Sequence, residues 1–146
     1  MLAASIGAAK KETPGSLDLA ELDERILRAL HSAAEKKAVD LTVLDLRRVA
    51  SFTDFFIIAT GANKRQVQAI SDEVVEQGKK RGSRAARVEG YQNAEWILVD
   101  YGDFIVHVFD DRARRFYDLE RLWRQARRLD VSLEQLEQIG SLRKES

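Results

Sequence analysis

Trp96-Ile97-Leu98-Val99-Asp100-Tyr101-Gly102-Asp103-Phe104-Ile105-Val106-His107-Val108-Phe109 sets two apolar runs on either side of a Gly-Asp link. That arrangement is the signature of a β-hairpin, with glycine at the first central position of the turn, where φ must be positive. With Gly102 and Asp103 as the loop, Tyr101 faces Phe104, Val99 faces Val106 and Ile97 faces Val108. This side is uniformly apolar and belongs in a core. The other side pairs Asp100 with Ile105, Leu98 with His107 and Trp96 with Phe109, mixing large apolar groups with an acid and a histidine. A slip of one residue would exchange the two sides, so the register carries the functional reading as well as the fold.

Working outward from the hairpin, Val39 to Leu46 reads as a strand buried on parts of both faces, and Phe55 to Thr60 as a central strand covered on both. Gly61-Ala62-Asn63 ends the latter, and Asn63 suits the N-cap of a helix whose inward stripe is Val67, Ile70, Val74 and Val75. That helix stops at Gly78 or, better, Gly82. Arg84 to Glu89 is a weak strand closing on Gly90. Earlier, Ser16 or Asp18 caps a helix with Leu19, Leu22, Ile26, Ala29, Leu30 and Ala33 at helical spacing. After the hairpin, a helix is expected from near Asp111 to Leu129, its stripe being Phe116, Leu119, Leu122, Trp123 and Ala126. The order predicts a single α/β domain with a mixed sheet of about five strands and helices packed on it. Its expected bounds are 17–129, after a flexible leader over 1–16. Residues 130–146 form an extension with a short helix, capped by Ser132, and a frayed end.

The chain has 146 residues, 24 Lys+Arg against 24 Asp+Glu, two His, one Pro and no Cys. That length suits a domain burying roughly 70% of its unfolded surface without staples. The absence of cysteine excludes thiolate chemistry, Cys-ligated metal and a disulfide framework. Zero net charge argues against a general nucleic-acid coat. The longest apolar run, Phe55 to Ala59, is too short to span a bilayer, and the start has neither a basic region nor a long apolar core. The address read from this is the cytoplasm.

Candidate chemistry is sparse. His31 and His107 have no nucleophile elbow G-x-S-x-G to serve. The turn at Gly61 follows a strand and opens a helix, where phosphates bind, but it lacks both the P-loop and the G-x-G-x-x-G patterns. Asp45, Asp54, Asp100 and Asp103 supply no close D-x-D pair for two metals. No catalytic residue, cofactor or metal ligand is therefore assigned. Charge is more informative. Lys79, Lys80, Arg81, Arg84 and Arg87 precede the hairpin, and Arg112, Arg114, Arg115, Arg121, Arg124, Arg127 and Arg128 follow it. Between Val88 and Asp111 there are only acids: Glu89, Glu95, Asp100, Asp103, Asp110 and Asp111. The mixed hairpin face is then either covered by a helix or a partner site, with aromatic anchors and acidic steering for a basic protein.

Ser51-Phe-Thr-Asp54, Ala59-Thr-Gly61, Arg65-Gln-Val67, Val88-Glu-Gly90, Trp96-Ile-Leu-Val-Asp-Tyr-Gly-Asp103, Val106-His-Val-Phe109 and Phe116-Tyr-Asp-Leu-Glu-Arg-Leu-Trp123 together resemble the ribosomal silencing factors, the Iojap family. The resemblance runs from about Leu22 to Trp123. It implies a fold similar to the nucleotidyltransferase core without its catalytic acids, and a noncatalytic translational repressor. Such a repressor binds a basic protein on the intersubunit face of the large ribosomal subunit and blocks joining of the small subunit when nutrients are short. It also implies a homodimer off the ribosome. By resemblance Trp96 matches a position associated with partner contact. Leu98, Asp100, Tyr101, His107 and Phe109 extend that site by hairpin geometry, and the Arg-rich helix is a candidate for rRNA contact. The competing reading is a nucleotide-binding transferase-like enzyme using the Gly61 turn, against which the missing acidic pair counts.

Overall fold

The structure is a computed structural model that describes residues 15–145; the expected leader lies almost wholly outside them. Asp18 caps a 3-10 turn at Leu19–Glu21 through a reciprocal capping box with Glu21. The first α-helix, α1 (Glu24–Glu35), starts one step later, with Asp23 accepting the Arg25 and Ile26 amides. There follow β1 (Val39–Asp45), β2 (Phe55–Gly61), α2 (Lys64–Lys80), β3 (Arg87–Glu89), β4 (Trp96–Asp100) and β5 (Phe104–Asp110). The chain closes with α3 (Asp111–Tyr117), α4 (Leu119–Leu122), β6 (Arg127–Val131) and α5 (Leu133–Glu145).

The six strands form one sheet in the order β3-β4-β5-β2-β1-β6. Only the central β2–β5 pair is parallel, joined by a connection containing α2, β3 and β4; the other pairs are antiparallel. All five expected strands are present, and the hairpin register is the expected one, Trp96 opposite Phe109 and Leu98 opposite His107. Gly102 has φ +90, and the Tyr101 amide donates to the Phe104 carbonyl at 2.9 Å. Asn63 caps α2 by accepting the Gln66 amide at 2.8 Å, and the helix runs to Lys80, with Gly82 at φ +81 just beyond.

Two parts differ from expectation. The helix expected over Asp111–Leu129 is broken at Asp118, which sits left-handed at φ 44 between α3 and α4. Aspartate tolerates that conformation better than most side chains. Past Trp123 the chain turns and supplies a sixth strand, pairing Arg127 with Asp45 and Leu129 with Val43. The sheet therefore runs past position 129, and Leu136 of α5 is buried in its core. Ser132 caps α5 as expected, with a reciprocal pair of bonds to Gln135.

The two sheet faces are covered unequally. On one, Ile57, Ile97, Val99, Val106 and Val108 pack under α1 and α2, reaching Leu30, Ala33, Val67 and Ile70. Burying each such side chain contributes about 1.5–3 kcal/mol before entropy is counted. On the other, Leu44, Phe56, Ile58, Ile105 and Phe109 meet Ala113, Leu119, Ala126, the half-buried Trp123 and the 47–54 loop. The short helices left by the break at Asp118 are too small to roof that face.

Candidate functional site

The thinly roofed face carries an almost continuous row of rings. Phe52 lies 5.9 Å from Trp123, Trp123 6.1 Å from Phe56, and Phe56 4.3 Å from His107, centroid to centroid. Trp96 continues the row, 5.0 Å from Phe109 and 4.6 Å from Tyr117, with Phe116 5.0 Å beyond Tyr117. Phe56 and Phe109 are buried, Trp96, Leu98 and Trp123 half-buried. The outer members stand in solvent, Phe116 78% exposed and Phe52 56%, and Leu122, next to Trp123 in the chain, is 68% exposed. Contiguous apolar surface of this kind is characteristic of an interaction site.

Local chemistry holds the row in place. Thr53 donates to the Gly102 carbonyl at 2.9 Å, and the Asp54 amide to that of Asp103 at 2.9 Å, so the loop bearing Phe52 is tied to the hairpin turn. Gly90, at φ +84, passes so close to β4 that a Cβ there would sit 2.1 Å from the Trp96 carbonyl oxygen. The Trp96 indole N–H donates to Nδ1 of His107 at 3.0 Å. His107 is buried, which drives its pKa down to about 3, so the imidazole is neutral.

Of the expected site residues, Trp96, Leu98, Asp100, His107 and Phe109 share this face. Tyr101 does not. It stacks on Phe104 at 4.7 Å on the helix-covered side, as strand alternation requires of a residue odd in number with Val99 and Ile97. His107 and Phe109 are buried beneath Trp96 and have no surface to offer a partner. Conversely Phe52, Phe116, Tyr117 and Trp123 join the row, although in sequence two of them, Phe116 and Trp123, read as the core stripe of one long helix.

The acid-only hairpin does not survive in three dimensions. Arg87 bridges Glu89 and Asp100, each at 3.1 Å, Arg25 pairs with Asp103, and Arg115 with Asp111. Asp110 caps α3 by accepting the Ala113 amide at 2.7 Å. Only Glu95 of the six acids has no such partner among the described residues. The basic run is similarly spent. Arg114 is taken up by Glu120, Thr42, Thr60 and the Asp40 carbonyl, Arg127 by Asp45 and Glu21, and Arg128 by Asp130. Arg112, Arg121 and Arg124 remain exposed without an acidic partner among the described residues. Charge separated along the chain is paired across it.

The Gly61 turn is occupied by its own helix. A Cβ there would meet Val67 Cγ2 at 2.9 Å. The Gln66 carboxamide accepts the Ala62 amide at 2.6 Å and donates to the Lys36 and Lys37 carbonyls. A neighbouring cleft of about 740 Å³ is lined by Asp40, Thr42, Thr60, Arg114, Glu120 and Asp130 among others. Its central guanidinium, Arg114, is fully engaged by protein acceptors. Among the described residues no group of three His, Asp or Glu side chains converges to hold a metal, and no helix is long and apolar enough to cross a membrane.

Residues 20–145 match the family model described as "Ribosomal silencing factor during starvation". The chain belongs to the ribosomal silencing factor family. It is 38% identical over 103 residues to the ribosomal silencing factor of Halalkalibacterium halodurans, covering 70% of this chain and 88% of that one. It is 39% identical over 97 residues to that of Bacillus subtilis, covering 66% and 82%. The chloroplastic protein Iojap of Zea mays is 38% identical over 100 residues, 68% of this chain and 43% of that one. A crystal structure from Chromobacterium violaceum superposes with TM-score 0.67 at 34% identity, covering 73% of this chain and 87% of that one. A second, from Bacillus halodurans, gives 0.66 at 35% identity, with 74% and 98% covered. Three of the motifs on which the sequence resemblance rests, Ser51-Phe-Thr-Asp54, the Trp96–Asp103 run and Phe116–Trp123, are far apart in sequence. All three converge on the aromatic face.

Proposed function

We propose that the protein is a noncatalytic, cytoplasmic translational repressor that docks on the large ribosomal subunit and sterically blocks joining of the small subunit under nutrient limitation. The observation that carries this is the aromatic row on the unroofed sheet face, in a chain of the silencing-factor family. Trp96 and Leu98 form its centre and Phe52, Tyr117, Trp123 and Leu122 its flanks, with Asp100 at one end. The partner is a basic protein on the intersubunit face. Because Asp100 and Asp103 already have arginine partners, apolar contact supplies the affinity and Glu95 little steering. In this reading Arg121 and Arg124, beside Trp123 and exposed without an acidic partner among the described residues, meet rRNA phosphate. Off the ribosome the same face pairs two copies of the chain.

A large aromatic anchor at the centre of an interface is worth ~2 kcal/mol or more, a loss of about 30-fold in affinity when it is removed. Trp96→Ala therefore leaves the large-subunit peak of a sucrose gradient run with separated subunits, while circular dichroism shows the fold retained. A folded Trp96→Ala protein that cosediments undiminished would remove Trp96 as the anchor. A Tyr101→Phe variant, altered on the opposite face, cosediments as the wild type does.

A further inference from the structure

His107 occupies mid-strand β5, opposite Leu98 on one side and Ile58 on the other, and is only 3% exposed. An aliphatic side chain would fill such a site with no polar atom to satisfy. The imidazole leaves Nε2 buried with no hydrogen-bond partner, a cost to stability that a residue present only for packing would not bring. What it gains is one bond. Nδ1 accepts from the indole Nε1–H of Trp96, which requires the neutral tautomer protonated at Nε2. The Phe56 ring packs edge-on against the imidazole, 4.3 Å away at 73°, from β2, the strand flanking β5 opposite the β4 strand that carries Trp96.

We propose that His107 is the positioning residue for Trp96: by taking the indole N–H it fixes the ring against Phe109 and Tyr117, so that Trp96 meets its partner by its apolar face and never as a hydrogen-bond donor. This rests on the docking reading above and deepens it. The group opposite Trp96 on a basic partner is then an aliphatic stem or a guanidinium lying over the ring, not a carbonyl or carboxylate. His107 itself does not touch the partner.

The test uses three forms of the full chain: wild type, His107→Leu, which removes the acceptor, and His107→Asn, whose Oδ1 replaces Nδ1 as acceptor. Two readouts are taken. Hydrogen exchange of the Trp96 indole N–H is followed by NMR of the free protein, with Trp123→Phe assigning the two indoles. Binding to purified large subunits is measured by cosedimentation titration. The wild-type Trp96 indole is expected to exchange slowly. His107→Leu is expected to keep or raise the melting midpoint at neutral pH, yet exchange its indole fast and bind about tenfold more weakly. His107→Asn is expected to recover much of both losses. A fast-exchanging wild-type indole overturns the proposal, as does a His107→Leu protein that binds undiminished or fails to fold. A binding loss that His107→Asn does not relieve while its indole stays protected also overturns it. Wild-type protein absent from the large-subunit peak would overturn the docking reading itself, which the free-protein exchange measurement tells apart from a missing hydrogen bond.

Discussion

Arg114→Met is expected to lower stability by ~3 kcal/mol and the melting midpoint by roughly 10 °C. Arg114 and Glu120 are 11% and 12% exposed at the side chain, the most buried ion pair among the described residues that leaves neither partner in water. The guanidinium reaches from α3 to Glu120 at the start of α4, to Thr60 of β2 at 2.9 Å, and to Thr42 of β1 at 3.0 Å, besides the Asp40 carbonyl. It is therefore the clasp that lets the chain break at Asp118 and still keep both short helices on the sheet. Removing it strands the Glu120 carboxylate in a partly desolvated site, which costs more than the pair itself contributes. Arg115→Met, one residue along and 70% exposed, removes only a surface pair with Asp111 and is expected to shift stability by less than ~0.5 kcal/mol. Replacing both partners, as Arg114→Met with Glu120→Leu, is expected to recover part of the loss. Urea unfolding of the four proteins decides it. Equal midpoints for Arg114→Met and Arg115→Met would show that the clasp does not hold α4. Because α4 leads directly into Trp123, Arg114→Met is also expected to weaken large-subunit binding below its melting point.

That clasp marks where the sequence stops being legible. The hairpin, the central strand, the Asn63 cap and the end of α2 are each written within a window of a few residues, by alternation, by a side-chain cap or by a glycine. The break at Asp118 is not. The stripe Phe116, Leu119, Leu122, Trp123 and Ala126 has true helical spacing, and what overrides it is Arg114 bonding to residues more than 50 positions away. The sixth strand was masked in the same way. Arg127-Arg-Leu-Asp-Val131 alternates charge with apolar groups, which suits either a helix end or an edge strand, and only pairing with β1 selects the strand. The aromatic face was half legible. Its hairpin members follow from register, whereas Phe116 and Trp123 read as core because an unbroken helix would have buried them, and Phe52 lies in a loop with no periodicity to place it. The charge reading failed for a related reason: linear segregation says nothing about Arg25 and Arg87 folding back onto Asp103 and Asp100.

Acid is expected to destabilise the protein well above the carboxylate range, through His107. Its pKa falls from an ordinary 6.5 to about 3 because burial penalises the imidazolium. A depressed histidine pKa means that the unfolded chain binds the proton first. The stability it protects is whole above pH 6.5 and is lost as pH falls towards 3, at about 1.4 kcal/mol per unit, or ~4 kcal/mol by pH 3.5. Carboxylates add their own loss lower down. Burial raises Asp45, but hydrogen bonds from Arg47 and the charges of Arg47 and Arg127 outweigh it and hold the group below its usual range. That contribution is present above the unfolded carboxylate pKa and fails only below it, so between pH 6.5 and about 5 the histidines act alone, His31, whose pKa burial also lowers, alongside His107. His107→Leu provides the subtraction. Unfolding free energies of wild type and His107→Leu should differ little in slope above pH 7 and diverge steadily below 6.5, the wild type falling faster. Parallel curves across that interval would mean that the imidazole protonates in place, with the Trp96 indole bond already open. The same curves bear on function, since a protonated Nδ1 cannot accept the indole N–H. The wild type should then lose large-subunit binding only where it unfolds, with no separate step in binding near pH 6.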